Sequence, residues 1–305
     1  MKKLFTILAV AAAVVACQKN ETIALDNGEA IAFGNAFVEN AVRADYSSTD
    51  ITAFKVYGTV NDVNIFDGDN VTKGDAAYGA PWTLTDATTG AVITQYWVAD
   101  AQYKFAAVVD ATEVVTDTKT GLPTTLKYNT NTQNDMLYNY VERKNDKSIV
   151  GFTFTHLLAK AYFTVTNNVA DSKYTYTISD VKLTNTYATA DYNVAGNWEN
   201  KVAAEGGQAF AAIESVVNGT PKKNAEILLI PTAEVGVSFT VTLYIDGQKV
   251  TSYPVTKDAV VTLAANSVYN FNVVFEALDQ IQFTVEEQPE WSATTTVPTT
   301  PVPAN

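Results

Sequence analysis

One histidine and one cysteine among 305 residues set narrow limits on the chemistry this chain can perform. A zinc site of the usual kind takes several His or Cys ligands, and here there is only one of each. A triad serine is presented on a sharp turn such as Gly-x-Ser-x-Gly, and none occurs. His156 lies between two strand-like runs, followed by Leu157 and Leu158, and reads as a structural residue at a strand end. The stretch from Asp62 to Asn70 comes nearest to a calcium loop. Phe66, however, occupies its third ligand position and no glutamate closes it, so a solvated hairpin loop is the better reading. The chain has 33 acids, but their spacing singles out no carboxylate pair for glycoside hydrolysis. Trp82, Trp97, Trp198 and Trp291 could line a sugar-binding face, yet a tryptophan between apolar neighbours, as in Tyr96-Trp97-Val98, is ordinary core. No catalytic residue, metal or cofactor is expected, and the chain reads as a non-enzyme.

Cys17 has a different chemistry available. Lys2 and Lys3 precede an apolar run from Leu4 to Ala13, broken only by Thr6, and Val14-Val15-Ala16 then sets small residues before the cysteine. The run is too short for a membrane span with such flanks and reads as an export signal over residues 1–16. An aliphatic-small-small-Cys ending resembles a lipobox, in which the thiol is acylated and the cysteine becomes the new N-terminus. No second cysteine exists to pair with it. Gln18-Lys19-Asn20-Glu21 resembles the polar signal that sends lipoproteins of the Bacteroidetes to the outer face of the outer membrane. The lipid on Cys17 would then be the only anchor.

The elements that must position anything else are strands. Apolar and polar residues alternate at Phe54–Val60, Tyr103–Val109, Phe152–Phe154, Ala161–Thr166, Tyr174–Ile178, Phe239–Ile245 and Tyr269–Phe275. Runs of this period, rich in Val, Ile, Thr, Tyr and Phe, mark half-buried β-strands. Asp67-Gly68, Thr89-Gly90, Asn167-Asn168, Ala195-Gly196, Asn218-Gly219 and Asp246-Gly247 supply turns, the last being the clearest hairpin. Only 134–142 and 208–215 suggest a turn or two of helix. Ile31 and Phe33 form a short apolar strand upstream, and Ile281, Phe283 and Val285 alternate as a last one. Trp291 follows, and from Ser292 to Asn305 the chain is rich in Thr and Pro, which suits an extended linker or an edge strand. The length fits two β-sandwiches with a seam near residue 157. Net charge is −13, and −15 once Lys2 and Lys3 leave with the signal. With no basic patch, nucleic acid is not an expected partner.

Several segments together are similar to the fimbrillin family, the type V pilins of Bacteroidales. Phe154-Thr-His156-Leu-Leu-Ala159-Lys160 resembles the family's Phe-x-His-x-Leu-Ala-Lys segment, and Asn134-Asp-Met-Leu-Tyr138 its Asp-Leu-Leu-Tyr segment. Tyr96-Trp97, then Tyr103-Lys-Phe105-Ala-Ala, Leu229-Ile-Pro231, and Leu263 to Asn270 follow in the same order. The resemblance implies two transthyretin-like (Greek-key) β-sandwich domains in tandem, 44–156 and 157–290, in an all-β fold. It implies a lipidated leader with the first strand, 17–43, cut off between Arg43 and Ala44 by an arginine-specific protease. Loss of Ile31 and Phe33 with that leader would open a groove. A C-terminal strand of another subunit, drawn from Ile281, Phe283, Val285, Trp291 and the tail 291–305, would fill it. The partners implied are further pilin subunits in a head-to-tail polymer, the outer membrane through the Cys17 lipid, and a host or bacterial adhesion ligand. The place implied is a pilus on the cell surface. The tail is poor in large apolar residues, with only Val297 and Val302 after Trp291. That keeps open a monomeric glycan- or protein-binding lipoprotein, or a pilus anchor or tip accessory, that retains its lipid.

Overall fold

Alternation produces nearly every element. In the strand Ala159–Asn167, Ala159, Ala161, Phe163 and Val165 are buried, while Tyr162, Thr164 and Thr166 are half-buried. The computed structural model describes residues 25–38, 51–74, 82–278, 280–289, 295–297 and 302–303. Among these residues the protein is all-β, with one short 3-10 helix at Thr130–Thr132 and no α-helix. The two segments with helical patterning are strands instead. Leu137–Lys144 pairs along its whole length with Gln102–Val109, and Gln208–Ala209 and Ile213–Val216 both pair with Tyr174–Thr184. Long-range pairing outweighs weak local propensity there.

A seven-stranded sheet organises the N-terminal half. Its order is Phe33–Val38, Val150–His156, Leu137–Lys144, Gln102–Val109, Ala53–Val60, Val63–Lys73 and Trp82–Thr85. Leu25–Ala30 and Tyr96–Val98 form a separate two-stranded sheet. One core cluster, Ile31 to Phe154, lies within this half and includes the fully buried Trp97. In the C-terminal half, Ala159–Asn167 lies parallel to Ser267–Ala277, which pairs antiparallel with Gln280–Pro289. A second sheet contains Tyr174–Thr184, Thr232–Ile245 and Gln248–Leu263. The inward faces of the two sheets share one core, with Phe163, Val165 and Phe271 from one and Ile178, Val237 and Val241 from the other. That is β-sandwich packing. The Asp246-Gly247 hairpin forms as expected, with Ile245 opposite Gln248 and φ of 49° and 77° at its two central residues.

Asp67-Gly68 is not a hairpin. The chain turns earlier, at Asn61 and Asp62, both at positive φ, and Val60 lies opposite Val63. Gly68, at φ 79°, is the extra residue of the strand Val63–Lys73 where the register slips opposite Val56 and Tyr57 of Ala53–Val60. A glycine in that conformation is the residue of a β-bulge. The calcium-like segment is therefore strand, and no group of three His, Cys, Asp or Glu among the described residues is placed to hold a metal.

The two halves also share structure. Glu113–Thr116 and Pro123–Asn129, from before residue 157, join Tyr187–Asn193 and Asn197–Ala203, from after it, in one four-stranded sheet. A third core cluster, with Tyr57, Leu126, Met136, Leu158, Ala190 and Ile230, lies beneath it. Gln133 clasps the same seam. Its Oε1 accepts from Leu228 N at 2.7 Å, and its Nε2 donates to Leu228 O at 3.1 Å. Gln133→Ala would strand both backbone groups of the buried Leu228. The expected loss is about 1–2 kcal/mol of unfolding free energy, read from urea melts.

Candidate functional site

The segment 25–38 crosses from one sheet of the N-terminal half to the other. Leu25–Ala30 runs antiparallel to Tyr96–Val98. Ile31 N then donates to Gln95 O, and Val150 N to Ala32 O, each at 2.8 Å. From there Phe33–Val38 runs parallel to Val150–His156 as the edge strand of the seven-stranded sheet.

Ile31, Phe33 and Ala36 of this segment belong to the N-terminal core. They are 5%, 6% and 2% exposed. The Phe33 ring meets Phe66 at 5.4 Å and Phe105 at 5.8 Å edge-on, and stacks on Phe152 at 6.0 Å. Between Phe33 and Ala36 the register slips by one residue, so positions 33 and 36 both face inward. Gly34 marks the tightest point. A Cβ there would lie 2.9 Å from Ile149 Cγ2 and 3.6 Å from Trp82 Cδ1. The strand is thus pinched between the wall at Ile149 and the far edge of its own sheet at Trp82. Alternation in the sequence points to Ile31 and Phe33, whereas Gly34, Trp82 and Ile149 become part of the site only through the fold.

The C-terminal residues singled out from the sequence lie elsewhere. Ile281, Phe283 and Val285 are buried in the C-terminal core, with the Phe283 ring 6.3 Å from Phe271 and 6.4 Å from Phe239. The structure does not bring them to Ile31 and Phe33. On the outer edge of Gln280–Pro289, the backbones of Thr295–Val297 and Val302–Pro303 add two short antiparallel pairings. Cys17, Arg43, Ala44 and Trp291 fall outside the described residues.

Other candidates for chemistry resolve into structure. His156 ends the strand Val150–His156, and its Nδ1 is 2.7 Å from Asp135 Oδ2, both side chains 4% exposed. Burial raises the Asp110 carboxyl, and the Asp135 charge adds to it. A cavity of about 490 Å³ opens among Lys55, Tyr57, Asn70, Asp110, Thr112 and Glu113, and Trp82, Trp97 and Trp198 are not among its walls. Trp97 is buried core, while Trp82 and Trp198 pack half-buried against core clusters, so these three form no common sugar-binding face. No helix among the described residues is long and apolar enough to cross a membrane.

Packed sheets sharing apolar cores, with Phe33 and Ala36 of an edge strand among the buried residues, define, as a class, a β-sandwich protein. A fimbrillin-like family model matches residues 42–289, and the chain belongs to the fimbrillin-like family. Membership makes it a fimbrial, cell-surface kind of protein. A comparison with curated proteins gives no match. Among solved structures, a fimbrial protein from Bacteroides vulgatus is 12% identical, covering 85% of this chain and 99% of that one at a TM-score of 0.59. A candidate cell adhesion protein from Bacteroides uniformis is 18% identical, covering 88% and 99% at a TM-score of 0.52. At such identities the likeness is one of fold.

Proposed function

We propose that this chain is a structural subunit of a cell-surface fimbrium. It is exported as a lipoprotein on Cys17, cut between Arg43 and Ala44, and polymerised head-to-tail by strand exchange, in the service of adhesion. The observation that carries the reading is the edge segment 25–38, which buries Ile31, Phe33 and Ala36 and precedes Arg43 in the chain. Removing it would uncover a row of backbone groups along Gln95–Val98 and Val150–His156 and an apolar slot between them. Ile31 and Phe33 each contribute roughly 1.5–3 kcal/mol when buried, so a strand that refills the slot regains a large term. Because Ile281, Phe283 and Val285 serve their own core, donation falls to residues after Pro289. A head-to-tail contact of this kind builds an open filament. The family match begins at residue 42, so the segment 25–38 lies outside the matched body. We also take 44–156 and 157–290 as the two sandwich units, joined across the shared sheet. The processing enzyme would be an arginine-specific protease, and the outer membrane would hold the precursor through its lipid.

A second reading is a monomeric surface lipoprotein, or a pilus anchor, that keeps its lipid. It is favoured by the tail backbone, since Thr295–Val297 and Val302–Pro303 lie along this chain's own Gln280–Pro289 edge. N-terminal analysis of surface protein from the producing cells separates the two. Wild type is expected to begin at Ala44 and to run as a ladder when unboiled. Arg43→Ala is expected to keep the Cys17 lipid and to run as a monomer. A wild-type surface form that carries the lipid and lacks the Ala44 N-terminus would sink the stalk reading.

A further inference from the structure

The chain contains only two arginines, Arg43 and Arg143, among its twenty Lys and Arg residues. An enzyme that cuts after arginine therefore meets one possible competing site. Arg143 is the penultimate residue of the strand Leu137–Lys144 and pairs with Tyr103 across the ladder. Its side chain is 14% exposed. The guanidinium lies 5.6 Å from the centroid of the buried Trp97 ring. It is bonded to both carboxylate oxygens of Asp146 and to the Ser148 hydroxyl, and it donates to Ile149 O at 3.4 Å. A trypsin-type protease binds its substrate as an added strand and draws the arginine side chain into a pocket. At Arg143 one backbone edge is held by the sheet and the side chain by this clasp.

A cut there would be destructive. It would sever the connection between Leu137–Lys144 and Val150–His156, neighbours in the seven-stranded sheet that pair directly only at Leu137–His156 and Tyr138–Thr155. Val150–His156 is the strand that holds Phe33–Val38. The connecting residues also support the groove. Asn145 Nδ2 donates to Val98 O at 2.9 Å, and Ile149 stands against Gly34.

We infer that Arg143 is a concealed cleavage site, and that the folded N-terminal half, not the sequence around either arginine, confines an arginine-specific protease to Arg43. Resting on the proposed cut at Arg43, this makes processing follow folding: a chain that has not closed the clasp is cut twice and loses its groove. Lysine would avoid the hazard, but its single ammonium cannot hold Asp146 and Ser148 through one nitrogen and Ile149 O through another, as Nη2 and Nη1 of Arg143 do. The hydrogen bond from Arg143 holds the Asp146 carboxyl at about 2, helped by Ser148. A lowered carboxyl keeps its contribution above the ordinary value near ~4 and loses it as pH falls towards 2, so the clasp stays closed at neutral and mildly acid pH.

The test treats the purified precursor with an endoprotease that cuts only after arginine and identifies the products by mass. Native wild type is expected to give one new N-terminus, Ala44, and denatured wild type two, Ala44 and Lys144. Native Asp146→Ala is expected to be cut after Arg143 about tenfold or more faster than wild type, because each lost charged hydrogen bond favours local opening. Ser148→Ala should show a smaller rise in the same direction, and circular dichroism will show whether either variant keeps its sheet. Native Arg143→Lys is expected to give Ala44 alone, before and after denaturation. If native wild type is cut after Arg143 as fast as the denatured chain, or if both clasp variants stay folded and no more sensitive than wild type, the inference is overturned. Failure of the native chain to be cut after Arg43 would instead count against the processing reading, and the Arg143 comparison would be read independently.

Discussion

Phe33→Ala is expected to destabilise the uncleaved chain by about 3–5 kcal/mol and to leave the fully cleaved chain unchanged. The first half of that expectation follows from packing. Phe33 is 6% exposed, and its ring is surrounded by Phe66, Phe105 and Phe152. Truncation removes the transfer term and three aromatic contacts at once. The hole left by the ring cannot readily collapse, because Phe66 and Phe105 stand on Val63–Lys73 and Gln102–Val109, strands paired on both sides within the seven-stranded sheet. The second half follows from the proposed cut after Arg43, since residue 33 departs with the leader. Urea melts of matched precursor and cleaved samples measure both. Equal losses in the two forms would mean that the segment 25–38 stays in the groove after cleavage, and strand exchange would then have no vacant slot to enter. A loss under about 1 kcal/mol in the precursor would mean that the leader contributes little to the N-terminal core.

Much of this arrangement is legible in the sequence, and what is not has identifiable physical causes. Strands such as Ala53–Val60 and Ser267–Ala277 show through because a two-residue period in Val, Phe and Tyr has no other use. Asp67-Gly68 misleads because one glycine at positive φ serves a hairpin or a bulge, and only the pairing of Val60 with Val63 decides between them. The segment around Met136 and Leu137 looks helical in isolation, and eight successive pairings with Gln102–Val109 override that preference. The sheet that joins Pro123–Asn129 to Tyr187–Asn193 leaves no local trace, since its partners are some sixty positions apart. At the site, Ile31 and Phe33 are visible as alternating apolar residues. The slip after Phe33 is not, and with it goes the inward placement of Ala36. Likewise the alternation of Ile281, Phe283 and Val285 announces a strand but cannot say whose core it fills. The fold assigns them to their own.

That assignment makes the tail the element to remove. A chain ending at Pro289 is expected to fold as a monomer, within about 1 kcal/mol of the full-length protein, and to form no ladder after cleavage at Arg43. Gln280–Pro289 already pairs with Ser267–Ala277 along its inner edge and buries Ile281, Phe283 and Val285. What the described tail residues add is backbone pairing at five positions on the outer edge. Phe283→Ala supplies the contrast. It should cost about 3–5 kcal/mol and lower the stability of monomer and polymer alike, because it opens the core beside Phe239 and Phe271. Unboiled gels of the cleaved proteins, set beside their urea melts, distinguish loss of assembly from loss of fold. A truncated chain that still forms ladders would place the donated strand elsewhere. One that unfolds would make the tail an integral strand of its own sheet, which is what the monomeric reading requires. Loss of the ladder with the fold intact assigns the tail to the neighbouring subunit's groove, where a backbone with free edges and few large side chains can enter without first dismantling the domain it leaves.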